Sequence, residues 1–249
     1  MFLLKSALPM SAFAGGQIFC LFFCCLCLLS PVQVFSRTAS YSQELSDAVE
    51  LVFKSDKVLQ TFLQEPDMKW LRRNIGTAHA VFIAPQILRG EFLIGGSGGS
   101  GVLLARDSAT GKWSYPGFYA IDSISTGLQI GADASEIILL VMSEQGMRAM
   151  LTPEVRMGAK ILAAAGPVGE GTPPYRADII AYARSMTGII SGISLTGSVI
   201  TPRTSFNNAY YGGTVSVKDI LVGHVVNNYQ AESLRGRLMR AGKRNVTRH

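Results

Sequence analysis

Glycine punctuation is what most restricts this chain. Residues 76–223 hold 22 of its 26 glycines, about twice the usual density. Between the glycines lie short apolar runs at 80–84, 91–94, 102–105, 113–120, 126–131, 136–142, 158–164, 179–183 and 188–196. Runs of this length bounded by turn residues read as strands. Nothing between them is long enough for the helices that parallel crossovers need. The spacing predicts an antiparallel sheet or barrel. Glycines inside its strands imply curvature, bulges and close backbone approach.

Helical periodicity appears at the two flanks. Leu45, Ala48, Val49, Val52, Leu59, Phe62 and Leu63 recur at helical spacing, with Lys54 and Lys57 on the polar side. Glu65-Pro66 ends that helix. A second short piece, 68–75, carries Lys69, Arg72 and Arg73. Short helices are expected over 144–151 and 216–223, and a final basic helix over 229–243. The fold class is therefore α+β: a curved, glycine-rich antiparallel sheet or barrel-like core braced by N-terminal and C-terminal helices.

Residues 1–36 read as an export signal. Lys5 is the only charge before Arg37, 18–29 is an unbroken apolar run, and Val34-Phe35-Ser36 suits cleavage after Ser36. The rival reading is an uncleaved N-terminal anchor over 7–30. Either one places the domain outside the cytoplasm, periplasmic or associated with the envelope. All four cysteines (Cys20, Cys24, Cys25, Cys27) fall in this segment. The rest of the chain has no disulfide, thiol nucleophile or thiolate metal site. Residues 37–43 read as a polar linker.

The net charge of +6 is unevenly placed. Arg235, Arg237, Arg240, Lys243, Arg244 and Arg248 stand in 235–249 without an acid, while 37–234 holds sixteen basic and seventeen acidic residues. The high isoelectric point belongs to this C-terminal tail, and no basic groove for nucleic acid is implied. With Leu234, Leu238 and Met239, the tail has the composition of a segment that lies on an anionic membrane. A frayed, solubilising end explains it equally well.

One stretch imitates catalytic motifs. Gly95-Gly96-Ser97-Gly98-Gly99-Ser100-Gly101 fits both GxGxxG and the GxSxG nucleophile elbow. Both motifs need a helix directly after the turn. Here Val102-Leu103-Leu104-Ala105 follows, which is strand-like, so a glycine-rich hairpin is the better reading. A hydrolase using Ser97 would also need a histidine. The three available, His79, His224 and His249, have no spacing that pairs them with it.

Several segments, in order, resemble the SYLF family, also known as the yeast actin-binding domain. They are Phe92-Leu93-Ile94-Gly95-Gly96-Ser97-Gly98-Gly99-Ser100-Gly101-Val102, Trp113-Ser114-Tyr115-Pro116-Gly117-Phe118-Tyr119, and Gly127-Leu128-Gln129-Ile130-Gly131-Ala132 followed by 137–142. Ala164-Ala165-Gly166-Pro167-Val168-Gly169, Tyr182-Ala183-Arg184-Ser185, Gly192-Ile193-Ser194-Leu195, and Asn207 with Tyr210-Tyr211-Gly212 complete the set. The resemblance runs from about 44 to 223, leaving 224–249 as the basic tail. Thr196 stands where an acidic residue is usual, and His79 where lysine or arginine is common.

The resemblance implies a non-enzymatic domain without a cofactor or metal. Eukaryotic relatives bind phosphoinositide-rich membranes and some bind actin, while bacterial members are mostly exported. The expected function is a module of the bacterial cell envelope that binds anionic phospholipid. The expected contacts are Lys54, Lys57, Lys69, Arg72 and Arg73 at the front and Arg235, Arg237, Arg240, Lys243 and Arg244 at the back. Phe62, Leu63 or Trp70 would insert shallowly. The expected partners are an anionic membrane lipid or an envelope protein, and not nucleic acid. The alternative is a protein-interaction module, an actin-binding-like scaffold without lipid contact.

Overall fold

The computed structural model describes residues 30–243 except 90–96, 124–134, 159, 170, 172–175, 186 and 191–192. The strands expected at 91–94 and 126–131 lie outside the described residues. The chain divides into two compact units, Met1–Gln43 and Glu44–His249. Helix α1 (Ser30–Gln64) includes the stretch expected as a linker, so 37–43 is helical. Its serines and threonine suggested a linker, but it contains no proline or glycine that would stop a helix. After α1 come α2 (Lys69–Asn74) and a single 3₁₀ turn (Ile75–Thr77).

Among the described residues the second unit is built on one curled sheet of nine strands. In chain order they are β1 (Ala80–Arg89), β2 (Ser97–Ala105), β3 (Gly117–Ser123), β4 (Ser135–Val141), β5 (Val155–Arg156), β6 (Ala163–Ala165), β7 (Ile179–Ser185), β8 (Gly188–Ile190) and β9 (Ser198–Pro202). The spatial order is β5-β9-β3-β2-β1-β4-β7-β6, with β8 also on β7. Every pairing is antiparallel except β6 with β7. Three further helices are α3 (Glu144–Met150), α4 (Thr204–Tyr211) and α5 (Glu232–Lys243).

Central β1 runs five residues past its expected end because the sheet tolerates Pro85 at a bulge. Pairing with β2 jumps from Ile83↔Val102 to Gln86↔Ser100, and pairing with β4 from Ala84↔Ile137 to Ile87↔Ser135. Proline has no N–H for the ladder, so a bulge is where a central strand can hold it. The glycines of β2 face this bulge. A methyl group at Gly99 would sit 2.2 Å from the Gln86 carbonyl oxygen, and one at Gly101 would sit 2.5 Å from the Phe82 ring.

The sheet is buried on both faces, which is why its central strands read as unbroken apolar runs. On one face Val81, Ile83, Val102, Leu104, Ile138, Leu140 and Tyr182 meet Val52, Leu59 and Phe62 of α1, Leu71 of α2 and Leu234 and Leu238 of α5. On the other face Phe82, Leu103, Tyr119, Leu139 and Ile200 pack with Met150, Val155, Ile161, Ile220 and Leu221. Among the described residues that second core has no long helix. Part of its cover is α3 and one turn of π-helix, Asp219–Gly223, where an α-helix was expected over 216–223.

The tail expected from 224 is not a tail as far as residue 243. Leu234, Leu238 and Ala241 of α5 are buried. The helix packs on α2 and the 3₁₀ turn, at a contact so close that a methyl group on Gly76 would lie 2.7 Å from the Gly242 Cα. Strand β9 was not expected, and the strand expected over 188–196 is confined to β8.

Candidate functional site

The ten basic residues proposed from sequence fall into three structural groups. The first group is occupied by the fold. Arg72 donates to the carbonyls of Leu63, Glu65 and Pro66 at the C-terminal end of α1, where the helix carries unpaired acceptors and negative dipole charge. Arg237 forms a two-nitrogen pair with Asp56, with Nε at 2.6 Å and Nη2 at 3.1 Å. Arg235 donates to the Trp113 carbonyl through Nε and Nη2, pairs with Glu232 at 2.6 Å, and lies 3.9 Å over the Tyr115 ring.

Asp56 is the residue the sequence reading missed. Burial pushes its carboxyl pKa up, but hydrogen bonds from Arg237 and Ser233 outweigh that and hold it below the ordinary aspartate value. The signal was present. Asp56 lies four residues after Val52 and three before Leu59, on the buried stripe of α1. Arg237 is pushed above its ordinary value by the same bond.

The second group is exposed. Lys54 pairs with Glu50 one turn away at 2.8 Å, a solvent-exposed pair of small energetic weight. Lys57 lies 5.3 Å over the ring of Phe53, which is 61% exposed. Lys69 and Arg73 on α2 and Arg240 and Lys243 on α5 are exposed as well. The two helices that carry these last four, far apart in the sequence, pack against each other. Arg244 alone forms the third group and lies outside the described residues.

Phe62 cannot insert into a membrane, because it is fully buried in the helical core. Leu63 and Trp70 are partly buried and pack against that core. Among the described side chains of α1 the large exposed aromatics are Tyr41 and Phe53, and Phe53 is the more exposed. Among the described residues no helix is long and apolar enough to cross a membrane, and no group of histidines and carboxylates is arranged to hold a metal ion.

The backbone of Ser97 opens β2 opposite Arg89 and Ser123. The chain runs on as strand, so the strand-to-helix turn of a nucleophile elbow is not formed there. His79 sits between sheet ladders: its N–H donates to the Val141 carbonyl and its carbonyl accepts from Arg106.

The motif residues mostly serve the fold. The Ser114 hydroxyl accepts from Ala105 N–H and donates to the Tyr115 carbonyl. The Asn207 side chain accepts from Phe118 N–H and donates to the Phe118 and Arg203 carbonyls. Tyr115 donates to Glu232 at 2.6 Å. Arg184 binds Glu65 and Glu136, joining the end of α1 to the sheet. Gly166 leaves room for the Tyr182 ring, which a methyl group there would meet at 2.1 Å.

Residues 122–241 match the family described as "Ysc84: Las17-binding protein actin regulator". That span takes in α5 almost to its end. The chain is 31% identical to bovine SH3 domain-containing YSC84-like protein 1 over 154 residues, covering 59% of this chain and 45% of that protein. The mouse protein of the same name is 32% identical over the same shares. Protein YSC84 of Saccharomyces cerevisiae is 28% identical over 229 residues, 88% of this chain and 46% of that protein. The chain thus spans a little under half the length of these relatives. The resemblance drawn from the motifs holds over the matched residues.

Proposed function

We propose that this chain, which belongs to the Ysc84 (SYLF) family, is a non-enzymatic protein-interaction module that engages an acidic protein surface. The observation that carries the reading is the pair of contacting helices, α2 and α5, on which Lys69, Arg73, Arg240 and Lys243 are each exposed. The family description, an actin regulator that binds Las17, supports a protein partner. Attraction to such charges steers encounter and weakens with salt.

The test is co-sedimentation with actin filaments at low and high salt. The full chain is compared with a variant carrying Lys69→Glu, Arg73→Glu, Arg240→Glu and Lys243→Glu. Binding that falls with salt and is lost in the variant supports the reading. Equal binding by both proteins overturns it.

A second reading, contact with an anionic lipid surface at the envelope, is favoured by Phe53. It is an exposed aromatic on α1 with Lys57 over its ring and Lys54 beside it. Shallow aromatic insertion with nearby bases is how an interfacial helix binds. Under this reading Phe53→Ser lowers binding to phosphatidylglycerol vesicles and leaves filament binding unchanged. Export through residues 1–36 belongs with this reading, and sequencing the N-terminus of the secreted protein would find Arg37 first.

A further inference from the structure

One exposed stretch of the described residues is apolar and carries no lysine or arginine. Within residues 222–229, Val222 is 50% exposed, Val225 69% and Tyr229 84%. These are three of the seven large hydrophobic residues described as exposed, displayed from one eight-residue segment. Monomeric proteins rarely present such residues together unless they bind something.

The segment is anchored at both ends. Before it, Ile220 and Leu221 are buried in the core without a long helix; after it, Ala231 and Leu234 are buried in the helical core. Its backbone is fixed by local bonds. The N–H groups of His224 and Val225 both reach the Asp219 carbonyl, and His224 takes a left-handed conformation at φ 51°. Asn228 accepts from Gln230 N–H and donates to the Tyr210 carbonyl. The exposed side chains are therefore held outward before any partner arrives, which lowers the ordering cost of binding.

Charge decides what covers them. Residues 220–231 contain no Lys, Arg, Asp or Glu. The flanking acids are already engaged, Asp219 with Ser216 and Glu232 with Tyr115 and Arg235. Nothing in the segment attracts an acidic protein or an anionic membrane. A second copy of the chain fits poorly. Three side chains of this size offer roughly 300–400 Å², whereas a stable pair buries about 800 Å² on each side.

We infer that residues 222–229 form a preorganised docking loop for a protein partner that offers an uncharged apolar pocket to Tyr229, with Val222 and Val225 closing around its rim. The inference rests on the protein-interaction reading above and adds a second contact with the opposite salt behaviour.

The experiment pans a random peptide library on the immobilised full chain and measures the affinity of the recovered peptides for wild type, for Val225→Ser with Tyr229→Ser, and for the four-residue charge reversal. These loop side chains are exposed, so the melting temperature should not change, and this is checked first. The expected peptides are apolar and uncharged. They should bind the loop variant at least tenfold more weakly, bind the charge-reversed protein normally, and show no salt dependence.

Acidic peptides that lose affinity only for the charge-reversed protein overturn the loop and leave the proposed function standing. Peptides that bind the loop variant normally, or no recovered peptides at all, also overturn it. Two further results assign the loop elsewhere and refute the inference. One is sedimentation with phosphatidylcholine vesicles that the loop variant loses. The other is a dimer on size exclusion that the loop variant abolishes. Failure of filament binding with peptide binding intact counts against the four basic residues alone.

Discussion

Helices α1 and α5 both carry lysines and arginines, yet they use them differently. On α5, Arg235 and Arg237 lie under the helix and are consumed by a carbonyl, an aromatic face and two carboxylates. On α1, Lys54 and Lys57 stand in solvent, and among the described residues they engage Glu50 and Phe53 of their own helix. A guanidinium presents several donors in a planar fork, which suits a partly buried bidentate bond. A lysine ammonium is a strongly hydrated point charge and does better in water. Positive charge in a sequence is therefore not evidence of a binding surface until its partners are known.

The contrast can be broken most severely from beneath. Leu238→Ala removes a fully buried side chain where α5 meets the core. Urea unfolding should show a loss of about 2–5 kcal/mol. A loss below about 1 kcal/mol would mean that α5 contributes little to the fold. Gly76→Ala forces a methyl group against Gly242 and should cost about 1–3 kcal/mol. An unchanged melting temperature would show that the two backbones can separate freely.

Asp56→Ala leaves the partly buried Arg237 without its acceptor and should cost about 1–3 kcal/mol. Combined with Arg237→Ala it should be much less than additive; strict additivity would deny the bond. The same pair has a pH signature. The folded-state pKa of Asp56 is lowered, so its contribution is complete above the ordinary aspartate value and is lost as pH falls toward the lowered one. Wild type should therefore lose more stability than Asp56→Asn between pH 6 and pH 3. Asp107 and Asp219 are also lowered, but they are present in both proteins and cancel from the difference. Parallel curves would show that Asp56 contributes nothing.

The smallest expected change sharpens the comparison from the exposed side. Arg240→Gln should alter stability by no more than about 0.5 kcal/mol while weakening filament binding at low salt. A clear loss of stability would move Arg240 into the group consumed by the fold.

Much of this was legible in the residues. The glycine spacing showed the antiparallel sheet, and the apolar stripe of α1 showed the face it buries. A basic helix over 229–243 was legible too, but its charge made it read as part of a tail, and the burial of Leu234 and Leu238 was not expected. What could not be read was pairing at a distance. Arg235 meets a carbonyl 122 positions away and Arg237 a carboxylate 181 positions away, and no local pattern announces either. Pro85 hid the second half of β1, because local rules forbid proline in a central strand and only the register of both neighbours reveals the bulge. Strand β9 has only two aliphatic residues, Val199 and Ile200, before Pro202, too few for a period to show.

The sheet ends on one side in the two residues of β5 and on the other in the three-residue strands β6 and β8. A growing cross-β array needs a longer flat row of unpaired amides to copy. Chains crowded together should therefore be poor templates for one another, although the interior strands are rich in the aliphatic residues that fibrils favour. Truncations that strip these short borders and bare β7 or β9 should aggregate sooner than the intact chain.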